Sequence, residues 1–250
     1  MTTAFNAGSV HRYGERIDLD VAGATFATWH PRQIMTGYSW DALSVATLLR
    51  SEGPPKSVLT LGLGGGPVTR QLRRLLPTAR LVGVEIDAGI IDLAQRHMHL
   101  REQHVETHVE DAYQYLARTT ETFDAILDDL FLTGPLDVVR SRTPKGETMA
   151  LLRAKLAPGG LLVANLITDV GEHAAIRQET RAAFLAAFAS VRVVEPPQGL
   201  NEILVGGDQT LPGSALGAYV RKLSEPHDRQ RMREILVKPL RRPRSTDDVR

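Results

Sequence analysis

Apolar and polar positions alternate between residues 15 and 29. Ile17, Leu19 and Val21 share one face, Ala22-Gly23 permits a tight turn, and Thr25, Phe26 and Trp29 follow. A period of two predicts a short β-hairpin, which Pro31 interrupts. The spacing then lengthens to that of a helix over about 34–49, with Tyr38, Leu43, Ala46 and Leu49 on its inner face. Glu52-Gly53-Pro54-Pro55 breaks that pattern.

From Ser57 a strand–turn–helix unit recurs. Short apolar runs predict strands over 58–61, 81–84, 104–109, 123–127 and 161–168. Between them, helical spacing covers 68–76, 88–98, 112–117, 143 to about 156, and 172–188. Thr143-Pro144 suits a helix start, because proline needs no donor in the first turn. Residues 191–194 and 203–205 predict a closing antiparallel pair. Strands alternating with helices imply a Rossmann-like α/β fold: a seven-stranded, mainly parallel sheet with helices on both faces, plus the N-terminal hairpin. The expected organisation is an N-terminal hairpin and helix over 1–52, a nucleotide-binding core over 53–208, and a helical extension with a basic tail over 209–250. In that extension 218–223 and 229–237 have helical spacing. The proline-broken basic run 238–244 reads as a solvated terminus, with an anion or partner contact as the alternative.

Composition narrows the function classes. The net charge of +1 gives no general reason to expect nucleic acid or an acidic membrane as partner. The absence of cysteine excludes disulfides, thiolate metal sites and a cysteine nucleophile. His104 and His108 have no third clear ligand beside them, so no metal site is expected. With no signal-peptide pattern and no run of membrane-spanning length, a cytoplasmic protein is the expectation. The exposed edge of the hairpin could pair between subunits, which makes a homodimer possible.

The chemistry gathers at the carboxyl ends of the predicted strands, where open α/β sheets bind ligands. Gly62-Leu63-Gly64-Gly65-Gly66 follows the first, Glu85-Ile86 the second, Asp111-Ala112 the third, and Asp128-Asp129 the fourth. Glycines let backbone approach a ligand. A carboxylate at position 85 can accept from both hydroxyls of a ribose, and one at 111 from an exocyclic amine such as that of adenine. Singly, the glycines could form a bare turn, and Glu85 or Asp111 could cap a helix. Together they compose an adenosine crevice. Pro67 stands where a dinucleotide fingerprint wants its third glycine, and no lysine follows to neutralise phosphate. A ligand without phosphates fits better, and S-adenosylmethionine has none.

Residues 57–167 resemble the core of the class I S-adenosylmethionine-dependent transferases, and within it the spermidine synthase-like branch. The matching pieces are Val58 to Gly66, Val84 to Asp87, Glu110 to Ala112, Phe123 to Asp129, and Leu156 to Val163. The resemblance implies that the loop Gly62 to Gly66 holds the methionine part, Glu85 the ribose, and Asp111 with Ala112 the adenine. It places Asp129 at the catalytic aspartate of polyamine aminopropyltransferases, with Asp128 and Ile86 beside the donor. Two departures stand out. The aminopropyltransferase run Asp-Ser/Thr-x-Asp is here Asp129-Leu130-Phe131-Leu132, without its second acid. The family's Tyr-His-Glu segment is also missing, the nearest stretch being Tyr38-Ser39-Trp40-Asp41.

Methyl transfer to a small amine or hydroxyl acceptor is therefore the leading expectation, with Asp129 orienting or deprotonating the acceptor. His30, Tyr38 and Trp40 are candidates to roof the acceptor pocket, or else pack the N-terminal segment on the core. Aminopropyl transfer or another non-methyl use of the donor is the alternative, and a non-catalytic interaction module the second.

Overall fold

The computed structural model describes residues 8–133, 138–168 and 171–241. The N-terminal segment forms an antiparallel sheet of β1 (Gly8–Tyr13), β2 (Arg16–Val21) and β3 (Ala24–Trp29). The turn between β2 and β3 falls on Ala22 and Gly23, both at positive φ, as a tight hairpin requires. The expected hairpin thus carries a third strand, β1. Its pattern, Gly-Ser-Val-His-Arg-Tyr, holds too few apolar residues to announce one.

The main sheet is built from β4 (Ser57–Leu61), β5 (Arg80–Glu85), β6 (Glu106–Val109), β7 (Phe123–Asp128), β10 (Leu156–Ile167), β11 (Ser190–Glu195), β12 (Asn201–Gly207) and β13 (Leu236–Pro239). A small hairpin of β8 (Phe131–Thr133) and β9 (Val138–Arg140) follows β7. The helices are α1 (Ser39–Ala46), α2 (Pro67–Leu75), α3 (Ala88–His97), α4 (Ala112–Arg118), α5 (Gly146–Ala154), α6 (Glu172–Ala187), α7 (Gly217–Val220) and α8 (Pro226–Glu234).

The sheet has eight strands in the order β13-β11-β12-β10-β7-β4-β5-β6. β6, β5, β4, β7 and β10 run parallel, and β12 enters antiparallel to β10. The eighth strand, β13, takes the last two residues of a helix expected over 229–237, which α8 fills only to Glu234. Backbone at Ile235 turns extended, and Val237 pairs with Val194 of β11.

Side chains alternate across the sheet, as the period of two demands. Val58, Ala125, Leu127 and Val163 pack into one core with α1, α2 and the C-terminal helices. Leu59, Ile126, Leu162 and Leu204 pack into another with α4, α5 and α6. Phe123 and Phe184, both wholly buried, anchor the second core.

Four other boundaries differ from expectation. Residues 34–38 are not helical, because two buried carboxylates capture their amides. Asp228 accepts from the N–H of Ile34 and Met35, and Asp41 from those of Thr36 and Gly37. Strand β6 starts at Glu106, since His104 sits at φ 51° after a 3₁₀ turn over Leu100–Gln103. Helix α5 starts at Gly146, because Lys145 first turns back to donate to the Thr143 carbonyl. Strand β10 begins at Leu156 and carries a bulge before Leu161. Most of the basic tail lies outside the described residues. Among those described, no helix is long and apolar enough to cross a membrane.

The N-terminal sheet is pressed onto the glycine loop after β4. A Cβ on Gly65 would stand 2.2 Å from the Cβ of Ala27 in β3. Gly65→Ala therefore has to push β3 off the loop, and overpacking of this kind costs about 1–3 kcal/mol. The expected outcome is a lower urea midpoint with an unchanged m-value; an unchanged midpoint would show that the two sheets are not in tight contact.

Candidate active site

Strand order reverses between β4 and β7: β5 and β6 follow to one side of β4, and β7 and β10 to the other. The loops after β4 and β7 diverge there and leave a crevice at the carboxyl ends. A cavity of about 370 Å³ fills it, and the N-terminal sheet covers it through Thr25 and Phe26.

The loops that bound the crevice touch. A Cβ on Gly62 would lie 2.4 Å from the carbonyl oxygen of Asp129, and Gly62 has φ +82°. Only glycine meets both conditions. The Asp129 N–H donates to the Leu61 carbonyl at 3.0 Å, and the Gly62 N–H to that of Val84 at 2.9 Å. Three strand ends are thereby held together.

Glu85, at the end of β5, lines the cavity and is 8% exposed. One of its oxygens accepts from the Gly64 N–H at 2.9 Å and the other from the Asp87 N–H at 3.1 Å. Burial pushes its carboxyl above the ordinary range, and these N–H groups pull against it. Asp111 caps α4 through Oδ1, which accepts from Tyr113 and Gln114. It also lines the cavity, as do Ile86 and Ala112. For Asp111 the geometry accommodates both the capping and the ligand-facing reading, whereas Glu85 caps no helix, because Asp87 is the N-cap of α3.

Asp129 lies at the other side, past the end of β7. Its Oδ1 accepts from Asn165 Nδ2 at 2.7 Å, and Asn165 Oδ1 accepts from Asn201 Nδ2 at 3.0 Å. The second bond fixes which way the Asn165 amide points. Burial pushes the Asp129 carboxyl up to about 6; the Asn165 hydrogen bond and the Arg140 charge oppose the rise.

Asp128 has a different setting. It is fully buried beneath the cavity, not lining it, and forms an ion pair with Arg140. Burial raises its carboxyl and the guanidinium pulls against that rise. Arg140 also donates to the Asn165 carbonyl and lies over the Phe131 ring at 5.6 Å. It ties β9 to the ends of β7 and β10.

The other sequence candidates divide in the same way. Gly62, Leu63 and Gly64 line the cavity, whereas Gly65 faces Ala27 and Gly66 faces Leu100 and Gln103. Trp40 lines it beside Ser39, but His30 and Tyr38 line a separate, smaller cavity. Asn165, Asn201 and Arg140 were not anticipated. Asn165 had a signal, a lone amide inside the apolar run 161–168. Asn201 had none, because β12 is antiparallel and its first residue, not its last, reaches the crevice.

A model of the spermine/spermidine synthase domain family matches residues 43–194. A probable polyamine aminopropyl transferase of Bifidobacterium longum is 30% identical over 132 residues, covering 53% of this chain and 28% of that protein. An eEF1A lysine and N-terminal methyltransferase homolog of Drosophila pseudoobscura is 26% identical over 177 residues, covering 67% of this chain and 26% of that one. The chain therefore spans only about a quarter of the length of these curated relatives. Among solved structures, a probable spermidine synthase from Corynebacterium glutamicum has the same fold. Its TM-score is 0.73 at 20% identity, covering 89% of this chain and 85% of that one.

The raised Asp129 carboxyl makes a stability prediction. A carboxyl whose folded pKa lies above its unfolded value destabilises the fold only where it is charged. The cost is absent below about pH 4 and complete above the folded value of about 6. Asp129→Asn keeps the acceptor for Asn165 and removes the charge. It should raise stability by about 1–3 kcal/mol at pH 8 and leave it unchanged at pH 4. Thermal unfolding at the two pH values checks this; an equal shift at both would mean that Asp129 is not held as a desolvated carboxylate.

Proposed function

The chain belongs to the spermine/spermidine synthase domain family, and on that footing we propose that its cavity binds S-adenosylmethionine and transfers the methyl group to a small amine or hydroxyl acceptor beside Asp129. The carrying observation is the charge of the cavity. Glu85, Glu110, Asp111 and Asp129 line it, and no lysine, arginine or histidine does among the described residues. Such a wall favours a cationic ligand and disfavours a polyphosphate.

The residues fit the donor. The turn at Gly62 and Gly64 gives the cavity a wall of backbone. Glu85 spends one acceptor site of each oxygen on backbone N–H groups, which leaves lone pairs for a ribose diol. Asp111 keeps Oδ2 for an amine, and Leu63, Ile86 and Ala112 supply apolar wall. When bound, the donor supplies an electrophilic carbon on a sulfonium.

The chain's own part is to place the acceptor and manage its proton. Asp129, steadied by Asn165, accepts a hydrogen bond from the acceptor N–H or O–H and takes the proton as the nucleophile attacks. Its folded value of about 6 keeps it charged at neutral pH, yet closer to a useful base than an ordinary carboxylate. Trp40, Phe26 and Leu132 give that side an apolar wall.

Aminopropyl transfer is the second reading, and the same lining favours it. The methionine carboxylate of S-adenosylmethionine finds no cationic side chain there, and a decarboxylated donor would need none. Against it stands Leu132, an exposed leucine where that donor's free amine wants an acid.

Incubation with each donor and a panel of amines separates the two. S-adenosylhomocysteine as product supports methyl transfer; methylthioadenosine from the decarboxylated donor supports the second reading. Neither product, with no thermal shift from either donor, removes both. Glu85→Gln should weaken donor binding at least tenfold, read by calorimetry on folded protein. Asp129→Asn should lower kcat about 10²–10⁴-fold with little change in donor affinity. The wild-type kcat/KM should fall with unit slope below about pH 6. Asn165→Ala should move that limb upward, since a donor to the charged form is lost. A limb that stays in place would exclude Asp129 as the titrating base.

A further inference from the structure

A second cavity, of about 230 Å³, lies near the first. The two have no lining residue in common, but three segments contribute neighbouring positions to each. Phe26 faces one and Thr28 the other; Ser39 and Tyr38 divide likewise, and so do Leu200 and Gln198. Positions two apart on an extended chain are separated by about 7 Å, so the cavities are near neighbours.

Their charges are opposite. Arg16, Arg231, His30 and His227 line the second cavity, and no acidic residue does. Arg16 meets Asp18 at 3.0 Å through one nitrogen, and Arg231 meets Glu234 at 3.1 Å through one nitrogen. Neither carboxylate lines the cavity. A guanidinium has five N–H donors, so each fork keeps donors beyond its ion pair. His30 Nδ1 accepts from the N–H of Arg32 and Gln33, which puts the ring proton on Nε2, toward Glu15 at 3.7 Å. His227 Nδ1 lies 3.3 Å from Asp228 Oδ1, so the spare donors belong to the two arginines. Gln198 and Thr28 add neutral polar groups to the wall.

The segment between the cavities is firmly built. Asp228 and Asp41 hold residues 34–37 by their amides, and the Gln198 N–H donates to the Gly37 carbonyl at 2.9 Å. Arg70, from the glycine-loop helix, donates to the carbonyls of His30 and Gln33. The basic cavity is thus fixed to the same frame as the glycine loop.

We propose that the second cavity is an oxyanion subsite of the acceptor pocket, so that the acceptor carries a nucleophilic amine or hydroxyl at one end and a carboxylate or phosphate at the other. This rests on the transferase reading above for the amine end only; the anion site stands on its own residues. An acceptor of this kind has its cation beside Asp129 and its anion between Arg16 and Arg231. A polyamine would place a second cation against two arginines.

The test has two arms. In the first, the folded protein is titrated with inorganic phosphate and, separately, acetate, while the imidazole resonances of His30 and His227 are followed by NMR. Saturable shifts are expected, at least fivefold weaker in Arg16→Gln and in Arg231→Gln, and the tighter anion names the source. No saturable shift with either anion, or shifts unaltered in both variants, would overturn the subsite. Donor binding is measured on the same samples. Donor binding without anion binding sinks only this inference, and anion binding without donor binding sinks only the transferase reading. In the second arm, 6-aminohexanoate and 1,6-diaminohexane compete as acceptors. The amino acid should be preferred at least tenfold in kcat/KM, and Arg231→Gln should erase the preference while leaving donor affinity unchanged. Preference for the diamine would overturn the proposal.

Discussion

The backbone contact between Gly62 and the Asp129 carbonyl is the constraint on which the site depends. It occurs where the sheet changes its direction of winding, so it brings together loops that are 67 residues apart in sequence. Any side chain at position 62 would drive the loops apart, and positive φ there removes the remaining choices. Once they touch, Leu63 packs on β5, Glu85 reaches the Gly64 amide, and Asp129 comes under the Asn165 amide. The Glu85 side and the Asp129 side of the cavity are then two flanks of one contact.

Carboxylates, all buried except Asp111, do most of the shaping around it. Glu85 holds the glycine loop, Asp111 starts α4, Asp41 and Asp228 shape the entry to α1, and Asp128 pairs with Arg140. Glu85, Asp111, Asp41 and Asp228 each take two or more N–H donors, which is what makes a desolvated charge tolerable. Asp128 rests instead on the Arg140 charge, and its Oδ1 has no hydrogen-bond partner among the described residues. Asp129, which lines the cavity, has a single side-chain donor, Asn165, and its carboxyl climbs to about 6.

The sequence showed the donor half of the site clearly and the acceptor half poorly, for a geometric reason. Parallel strands deliver their last residues to the crevice, so a glycine run or an acid at the end of each apolar stretch is legible along the chain. Gly62, Glu85, Asp111 and Asp129 were found in that way, and each lines the cavity. Asn201 opens an antiparallel strand, and Arg140 acts from a hairpin of three-residue strands too short to show a period. Asp128 does not line the cavity, because successive positions along a strand face opposite ways and the alternation that turns Asp129 to the crevice turns Asp128 away from it. The edge strands β1 and β13 escaped because edge strands keep polar residues and proline, which erase the alternation that marks a strand. Residues 34–38 looked helical because spacing cannot reveal amides committed to Asp228, 194 positions away.

The distribution of charge along the crevice bears on which acceptors it can hold. Glu85, Glu110 and Asp111 belong to the β5 and β6 side, and Asp129 alone belongs to the β7 side. Beyond Asp129 the wall is Leu132, Ile167, Leu200 and two amides, and beyond that come Arg16 and Arg231. One carboxylate can compensate one ammonium in a partly dry site; a second ammonium on the same molecule would meet leucine, amide or guanidinium and lose its hydration without return. On the proposed reading, a sulfonium at the crossing of the two loops would draw on the same negative wall. An acceptor with one cationic end and one anionic end leaves no charge unpaired in this arrangement. On the proposed reading, Leu132 and the basic residues of the second cavity act together on what the pocket selects.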